Sequence, residues 1–500
     1  MSQTEPPEPV RQAAIAWLQG AWVALHEQHV LPTSRYRRHL RVGHDFYGVL
    51  DQALYDDLES AVQEHYPRFR PDLPLHEREF ASQYLFSLLG AVIADAPSTS
   101  SRELPLDHVD TILAEFHDAL CATDTTVACL RLVTHVTTNT QTPLDLGGVT
   151  VTPVISDSAG TSGTIAHIFE SAIHGAAETL NRLEVHVYAP PESVLAKNGD
   201  CRTGVSGRGV GHDSYATTSA LSADLDRWLL AVRLLRPTTC QSAYEIQGEI
   251  ARIRWHAPHH ATFRGAGPGF ASPTGLLCRT ARLEPGDDAA IVHIQQLLSG
   301  SSGPDSDMAF TSLGLAVHKF TMSFHAHAWY EQLVDLATAL EGALAGSDSS
   351  DVTLRLRSRA AALLNTSTDP AGSIFNDTKT LYEIRSKLVH GNSLNTKTLR
   401  KNISKLSTAR SDDPYGVALA RAVDRLRDLV RRALLARLTL ATTNPPKWLL
   451  DEDTGVDAAL ADDTTRTVWR TAWQQALRDA GAQCAPDAAR PADDSLTAND

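Results

Sequence analysis

Between residues 309 and 440, apolar side chains recur along the chain at intervals of three and four. The pattern is clearest at 414–440, where it comprises Val417, Ala420, Val423, Leu426, Val430, Leu434 and Leu438. Residues at this spacing share one face of an α-helix, so each such stretch carries a stripe that must be buried against another helix. Similar stretches at 309–345, 351–364 and 373–391 complete a set of four main helices. The spacing therefore predicts a helical bundle, in which Ser373 is a suitable N-cap and Gly391 a suitable C′ residue of the third helix.

The first 300 residues follow a different pattern. Amphipathic helical stretches extend to about residue 120, and alternating apolar and polar residues then predict strands at 126–136, 148–155, 183–188 and 249–255. Helices are predicted between these strands at 164–182 and 219–236. The expected fold class is α+β multidomain, a mixed α/β N-terminal region followed by an all-α bundle.

We divide the chain into four parts on this basis. These are a helical N-terminal region at 1–125, a mixed α+β sensor or regulatory region at 126–298, the bundle at 309–445, and a C-terminal helix with a disordered acidic tail at 446–500. The segment SGSSGPDSD at 299–307 has the composition of a flexible connection between the second part and the third.

Charge is distributed unevenly along the chain. The protein has 45 Lys and Arg against 59 Asp and Glu, a formal charge of −14, which argues against general coating of a nucleic acid or a membrane. Residues 379–447 nevertheless contain fifteen basic and five acidic side chains, while residues 1–378 carry a net charge of −17. The basic block predicts a local polyanion site that the acidic front part could restrain; a solvated helical face is the alternative.

Several classes of protein are not indicated by the sequence. The six cysteines form no CxxC pair, so neither a zinc site nor a disulfide framework is expected, and a reducing cytoplasm is the predicted location. The start, MSQTEPPEPV, is unlike a secretory leader, and the apolar run 84–94 is too short to span a membrane. We expect no cofactor and no metal. One predicted helical face carries His167, Glu170, His174 and Glu178, and we interpret it as a solvated surface and not as a metal site.

The segment LYEIRSKLVHGN at 381–392 carries the chemical argument. Arg385 and His390 are five positions apart, which places them about 140° apart around the helix, on either side of an apolar stripe. A histidine in a last helical turn can take or give a proton, and an arginine can hold two oxygens of a phosphate. Together they suit metal-free cleavage of RNA, in which the substrate's own 2′-hydroxyl attacks the phosphorus. From the spacing alone, an alternative to a catalytic role stays open: Arg385 and His390 could be basic residues near a helix end that only interact with the helix dipole.

The segments LVDLATALEGAL at 333–344, LRLRSRAAALL at 354–364 and LYEIRSKLVHG at 381–391 resemble a HEPN domain of the ApeA-like branch found in bacterial anti-phage proteins. The resemblance covers about a quarter of the chain. It implies a helical bundle that dimerises, so that the Arg and His of two protomers meet in one cleft and act as a metal-independent endoribonuclease.

By position, the resemblance makes Arg385 the phosphate-binding residue and His390 the acid or base. Ser386 stands where family members often have Asn, Asp or His, and Lys387 follows it as a further supporting residue. Glu341 and Arg359 also fall on the family pattern, and we interpret them as a structural ion pair between the first two helices of the bundle.

The sequence therefore predicts an endoribonuclease for anti-phage or toxin-like defence, regulated by its N-terminal region through a phage-derived or nucleotide trigger. Its partners would be RNA and a second copy of the chain. RNA would be contacted by the basic residues after the motif, namely Lys397, Arg400, Lys401 and Lys405. Two alternatives stay open: a non-catalytic module that binds nucleotide, RNA or a protein partner, and a scaffold that only dimerises.

Overall fold

The structure is a computed structural model. It describes residues 5–27, 50–73, 103–121, 125–153, 193–201, 210–249, 261–262, 280–300, 311–345, 351–391, 395–442 and 455–479, except 105, 141 and 327, together with isolated positions between 81 and 92. The predicted helix at 164–182, the predicted strand at 183–188, nearly all of the predicted strand at 249–255, most of the predicted connection at 299–307 and the acidic tail lie outside these residues, as do His167, Glu170, His174 and Glu178. The first two residues of that connection, Ser299 and Gly300, are helical.

The N-terminal helices have a hydrophobic core of their own. They are α1 (Glu8–Glu27), α2 (Gln52–His65) and α3 (Leu106–Cys121), with a 3₁₀ turn at Pro67–Phe69. Asp51 caps α2 by accepting a hydrogen bond from the backbone N–H of Ala53 at 2.9 Å. Trp17, Trp22 and Phe116 are fully buried in this core. The prediction of amphipathic helices up to about residue 120 is thus confirmed for these elements.

Among the residues that the structure describes, the middle region contains an antiparallel sheet of six strands and a separate parallel pair. The strands are β1 (Thr125–Thr134), β2 (Val136–Thr138), β3 (Leu144–Leu146), β4 (Val149–Pro153), β5 (Ser193–Cys201), β6 (Gln241–Glu249), β7 (Ala261–Thr262) and β8 (Ala281–Leu283). The sheet has the order β3-β4-β5-β1-β6-β7, and β2 pairs with β8. The α+β layout of the chain is therefore as predicted.

Two helices, α4 (Val210–Leu235) and α5 (Asp288–Gly300), pack beside this sheet. Trp228 of α4 is fully buried, and its indole N–H donates to the carbonyl of Leu146 at 2.7 Å. Arg131 of β1 and Glu245 of β6 face each other across the strands as a buried ion pair. Arg131 also donates to the hydroxyl of Ser222 on α4 at 3.1 Å, so α4 is held both at the edge strand β3 and at the central strand β1.

The C-terminal part is a helical bundle. Its helices are α6 (Ser312–Met322), α7 (Trp329–Leu344), α8 (Val352–Leu364), α9 (Ala371–Val389), α10 (Thr396–Ile403), α11 (Tyr415–Thr442), α12 (Val456–Ala461) and α13 (Asp463–Asp479). The longest, α11, packs against α6, α7, α8 and α13. The Trp469 and Trp473 stripe of α13 is buried against the bundle.

Two predicted helix boundaries are wrong. The stretch 309–345 is two helices, because α6 ends at Ser323, whose hydroxyl donates to the carbonyl of Phe320 at 2.7 Å, and Phe324 then turns into the core. Ser373 is not an N-cap; Pro370 occupies that position, and its carbonyl accepts from the N–H of Ser373. Gly391 does adopt the left-handed conformation that its C′ position predicts, with φ of +65°.

A buried charge network holds the bundle around α11. Arg425 makes a bidentate pair with Asp369 at 2.7 and 2.9 Å and also reaches Asp377 at 2.8 Å. Arg432 binds the same Asp369 carboxylate, and Asp428 pairs with Arg432 at 3.1 Å. Because buried charges are stable only when paired, this network fixes the register of α11 against the start of α9.

The sheet region and the bundle share one continuous hydrophobic core. At their junction, the guanidinium groups of Arg233 and Arg427 both lie over the ring of Phe324, 4.1 and 5.1 Å from its centroid. Arg431 of α11 also donates to the carbonyl of Leu234 at the end of α4, at 3.0 Å. The two parts are thus joined by specific contacts as well as by apolar packing.

The network predicts how stability depends on pH. Burial alone would raise the pKa of Asp369 and Asp428, but the hydrogen bonds and charges of the surrounding arginines outweigh it and hold both pKa values below the ordinary range. A lowered folded-state pKa contributes stability above the unfolded value of about 4, and this contribution is lost as the pH falls through the folded value. We expect the free energy of unfolding, measured in urea, to be nearly constant from pH 7 to about 5 and to fall below about pH 4.

The control for this experiment is Asp369→Asn. It should lower the free energy of unfolding by about 3–5 kcal/mol at pH 7, because it leaves buried guanidinium groups without their charge partner. The variant should also lose less stability than the wild type on acidification. Identical acid dependence of the two proteins would show that this carboxylate is not a source of the effect.

Candidate functional site

The candidate site lies on the last two turns of α9. Leu381 and Ile384 are fully buried and Leu388 is partly buried against the same core, as the predicted apolar stripe requires. Arg385 is half-buried beside this stripe, and His390 is exposed at the end of the helix. The two side chains therefore flank the stripe on the bundle surface.

Arg385 is held by two residues. One of its terminal nitrogens donates to Glu341 of α7 at 3.3 Å, and its guanidinium carbon lies 5.4 Å from the centre of the Tyr382 ring. The Tyr382 hydroxyl donates to the other oxygen of Glu341, so one carboxylate joins both side chains. The Nε atom of Arg385 is buried without a hydrogen-bond partner, while the side chain as a whole keeps 20% of its surface exposed. The guanidinium is thus oriented but still reachable from solvent.

The Tyr382 hydroxyl is a permanent donor in this group. Burial, the hydrogen bond to Glu341 and the charge of that carboxylate together raise the pKa of Tyr382 to about 12, against the opposing charge of Arg385. The phenol therefore stays protonated over the physiological range. Sequence reasoning missed Tyr382, although its position three residues before Arg385 places it on the same side of the helix.

The predicted ion pair between Glu341 and Arg359 is wrong. Glu341 binds Tyr382 and Arg385, whereas Arg359 of α8 pairs with Asp457 of α12 at 2.7 and 3.0 Å. Arg359 also donates to the carbonyl of Leu344 at the end of α7, at 2.7 Å. Asp457 lies outside the three helices that carry the family segments, so the sequence did not reveal it as the partner of Arg359.

His390 ends the helix. It is the C-cap residue, and its backbone N–H donates to the carbonyl of Ser386 at 3.1 Å. Ser386 and Lys387 are half-buried in the last turn. No hydrogen bond or ion pair joins the side chains of Arg385 and His390 among the residues described, so a single chain does not bring the two groups together.

The four predicted RNA-binding residues lie on one short helix and in the turn that follows it. Lys397, Arg400, Lys401 and Lys405 are all exposed on α10 and in the turn after it, while Leu399 and Ile403 on its other face are buried. The Arg400 guanidinium lies 5.7 Å from the centre of the Tyr415 ring. These residues form an exposed basic patch with an aromatic ring beside it, which we call the α10 patch.

The basic block as a whole is not a surface feature. Five of its fifteen basic residues are arginines buried in α11, namely Arg425, Arg427, Arg431, Arg432 and Arg437. Arg425 and Arg432 face the internal carboxylates, and Arg427 pairs with Asp424 at 3.0 Å. The net charge counted from the sequence therefore overstates the positive charge that a polyanion would meet.

Comparisons with known proteins give no relatives for this chain. No protein-family model, curated protein or solved structure matches it. In the described part of the chain, no helix is long and apolar enough to cross a membrane. Nor do three or more His, Cys, Asp or Glu side chains converge there as a metal site.

The geometry around Glu341 predicts a measurable coupling. Glu341→Gln and Tyr382→Phe should each lower the free energy of unfolding by about 1–2 kcal/mol, because each leaves a partly buried polar group with a weaker partner. Because both residues share one hydrogen bond, the double variant should cost at least about 0.5 kcal/mol less than the sum of the two. Urea unfolding of the four proteins measures this difference.

The matched control pairs Tyr382→Phe with Glu383→Gln. Glu383 is the exposed neighbour of Tyr382 and lies 3.9 Å from Lys379. These two substitutions should be additive. Additivity of the Glu341 pair as well would contradict the shared hydrogen bond.

Proposed function

We propose that this protein is a metal-independent endoribonuclease of the HEPN type that acts in anti-phage or toxin-like defence. The observation that carries the proposal is the oriented but accessible guanidinium of Arg385 on the same helix end as the exposed imidazole of His390. An arginine held in this way is prepared to bind a phosphate oxygen without first changing its rotamer. An exposed histidine close to the same end can move the proton of the attacking 2′-hydroxyl or of the leaving oxygen.

The proposed active site needs two protomers. Arg385 and His390 do not contact each other within one chain, and the exposed Val389, with 50% of its surface accessible, lies directly beside His390. A homodimer that pairs the two α9 ends would cover Val389 and place the arginine of one protomer beside the histidine of its partner. Both groups could then act on one ribose-linked phosphodiester.

In this mechanism the α10 patch binds the RNA backbone. Its exposed lysines and arginine lie on the helix that directly follows the Arg385 and His390 helix along the chain. Contacts of this kind position a polyanion without reading its sequence. Tyr415 beside Arg400 offers a ring on which an unpaired base could stack.

The sheet region is the proposed regulatory part. It shares a core with the bundle, and the junction at Phe324 lies directly before α7, the helix that carries Glu341. A phage-derived or nucleotide trigger that moves the sheet region would therefore act on the helix that orients Arg385. In this proposal, packing against the sheet region restrains the Arg385 site, and the acidic charge of the front part adds a second restraint.

The catalytic test uses purified protein, labelled single-stranded RNA and excess chelator. Arg385→Ala and His390→Ala should each reduce the cleavage rate at least about 100-fold while RNA binding is retained, because they remove charge stabilisation and proton transfer respectively. Lys379→Ala, an exposed change on the same helix, should leave the rate unchanged. Equal cleavage by all four proteins would remove the enzymatic proposal, and RNA or nucleotide binding without cutting would favour the non-catalytic module.

The role of the α10 patch is tested by salt dependence. A Lys397→Ala, Lys401→Ala double variant should bind single-stranded RNA more weakly, and the slope of log K against log salt should fall by about 1.4, because each phosphate contact contributes about 0.7. Fluorescence anisotropy across a salt series measures the slope.

The charge-matched control for the patch is Arg70→Ala with Arg227→Ala. Both arginines are exposed, in ion pairs with Asp72 and Asp224, and removing them changes the net charge by the same amount. This control should keep the wild-type slope. A similar fall in both double variants would mean that net charge, and not the patch, determines binding.

A further inference from the structure

A cavity of about 410 Å³ opens between the end of α6 and the first two turns of α7. It is separate from the Arg385 group, which involves the last turn of α7. Its volume is within the range of sites for small molecules, about 300–1,000 Å³. Its lining combines apolar, aromatic and acidic side chains, and this combination indicates which ligand would fit.

One wall is apolar and aromatic. Met322 and Tyr330 line it with 39% and 47% of their surfaces exposed, and Val334 lies between them half-buried. The Tyr330 ring makes a T-shaped contact with Trp329, with ring centroids 5.9 Å apart. An exposed thioether and an exposed phenol ring in one cavity favour a ligand that has an apolar stem or a cation to set over the ring.

The same turns of α7 also bring acidic side chains to the cavity. Glu331 and Asp335 are four residues apart on α7 and so lie on the same helix face. Asp335 is neutralised by Lys319 at 2.8 Å. Glu331 makes no ion pair among the described residues; one of its oxygens only accepts from the N–H of Ala328, at 3.3 Å. The cavity thus has one carboxylate with no positive partner.

His325 completes the polar side of the cavity. Burial lowers the pKa of His325, the charges of Arg233 and Arg131 lower it further, and Asp226 only partly opposes them. The imidazole is therefore neutral at neutral pH. In the part of the chain that the structure describes, neither ring nitrogen takes part in a hydrogen bond, so one nitrogen is available to accept an N–H from a ligand.

We propose that this cavity binds a small organic cation, a primary ammonium or guanidinium group on an apolar stem. The cationic group would lie between the Glu331 carboxylate and the Tyr330 ring, with one N–H directed to His325, and the stem would pack on Met322 and Val334. A bare metal ion fits less well, because no three ligating side chains converge in the described residues. This proposal does not depend on the nuclease activity.

Agmatine is a suitable probe, because it carries a guanidinium and an ammonium group on a four-carbon stem. Isothermal titration of the full-length protein should show one saturable site. Glu331→Gln should weaken binding at least about tenfold by removing the unpaired charge, and Tyr330→Leu should weaken it about two- to fivefold by removing the ring but keeping the apolar volume. Glutamine can still accept the capping hydrogen bond, so the helix start is preserved in the first variant.

The control for general attraction to an acidic protein is Asp412→Asn, an exposed carboxylate outside the cavity. It should bind agmatine as the wild type does. The proposal is overturned by the absence of saturable binding up to on the order of 10 mM, or by equal weakening in Asp412→Asn and Glu331→Gln. Unfolding midpoints of all variants, measured without ligand, separate loss of binding from loss of folding.

Discussion

The bundle depends on how α11 buries its charge. This helix is enclosed by other elements along most of its length, yet it carries five arginines that are at most 5% exposed. Such a helix is stable only if each guanidinium meets a carboxylate or a carbonyl inside the protein. Asp369 supplies the central partner because it lies just before α9 and faces both Arg425 and Arg432. The position of α9, and with it the candidate site, follows from this pairing.

The same constraint explains why the charge count was misleading at α11 although the apolar spacing there was not. The apolar spacing of 414–440 identifies the helix correctly, since that spacing depends only on local geometry. The charge count cannot distinguish an arginine that faces water from one that faces Asp369, because the partners are distant in sequence. Only the exposed residues around Lys397 and Lys401 present the positive surface charge that the count predicted for the whole basic block.

The candidate site was predictable to a similar, limited extent. The helix, its buried stripe, the exposed His390 and the left-handed Gly391 all follow from local sequence. The partners of Arg385 do not, because Glu341 lies on another helix whose rotation depends on the full packing of α7. The break after α6 was missed for the same reason: nothing local requires Phe324 to enter a junction formed by α4 and α11.

The common core of the sheet region and the bundle restricts how this chain can recombine with others. A bundle transplanted onto a different front half would lose the Leu234 carbonyl that accepts from Arg431 and the Arg233 guanidinium that lies over the Phe324 ring. A buried guanidinium without its acceptor is costly, so a graft would need matching changes on both sides of the junction. A substitution on one side of the junction is therefore expected to require a compatible residue on the other side.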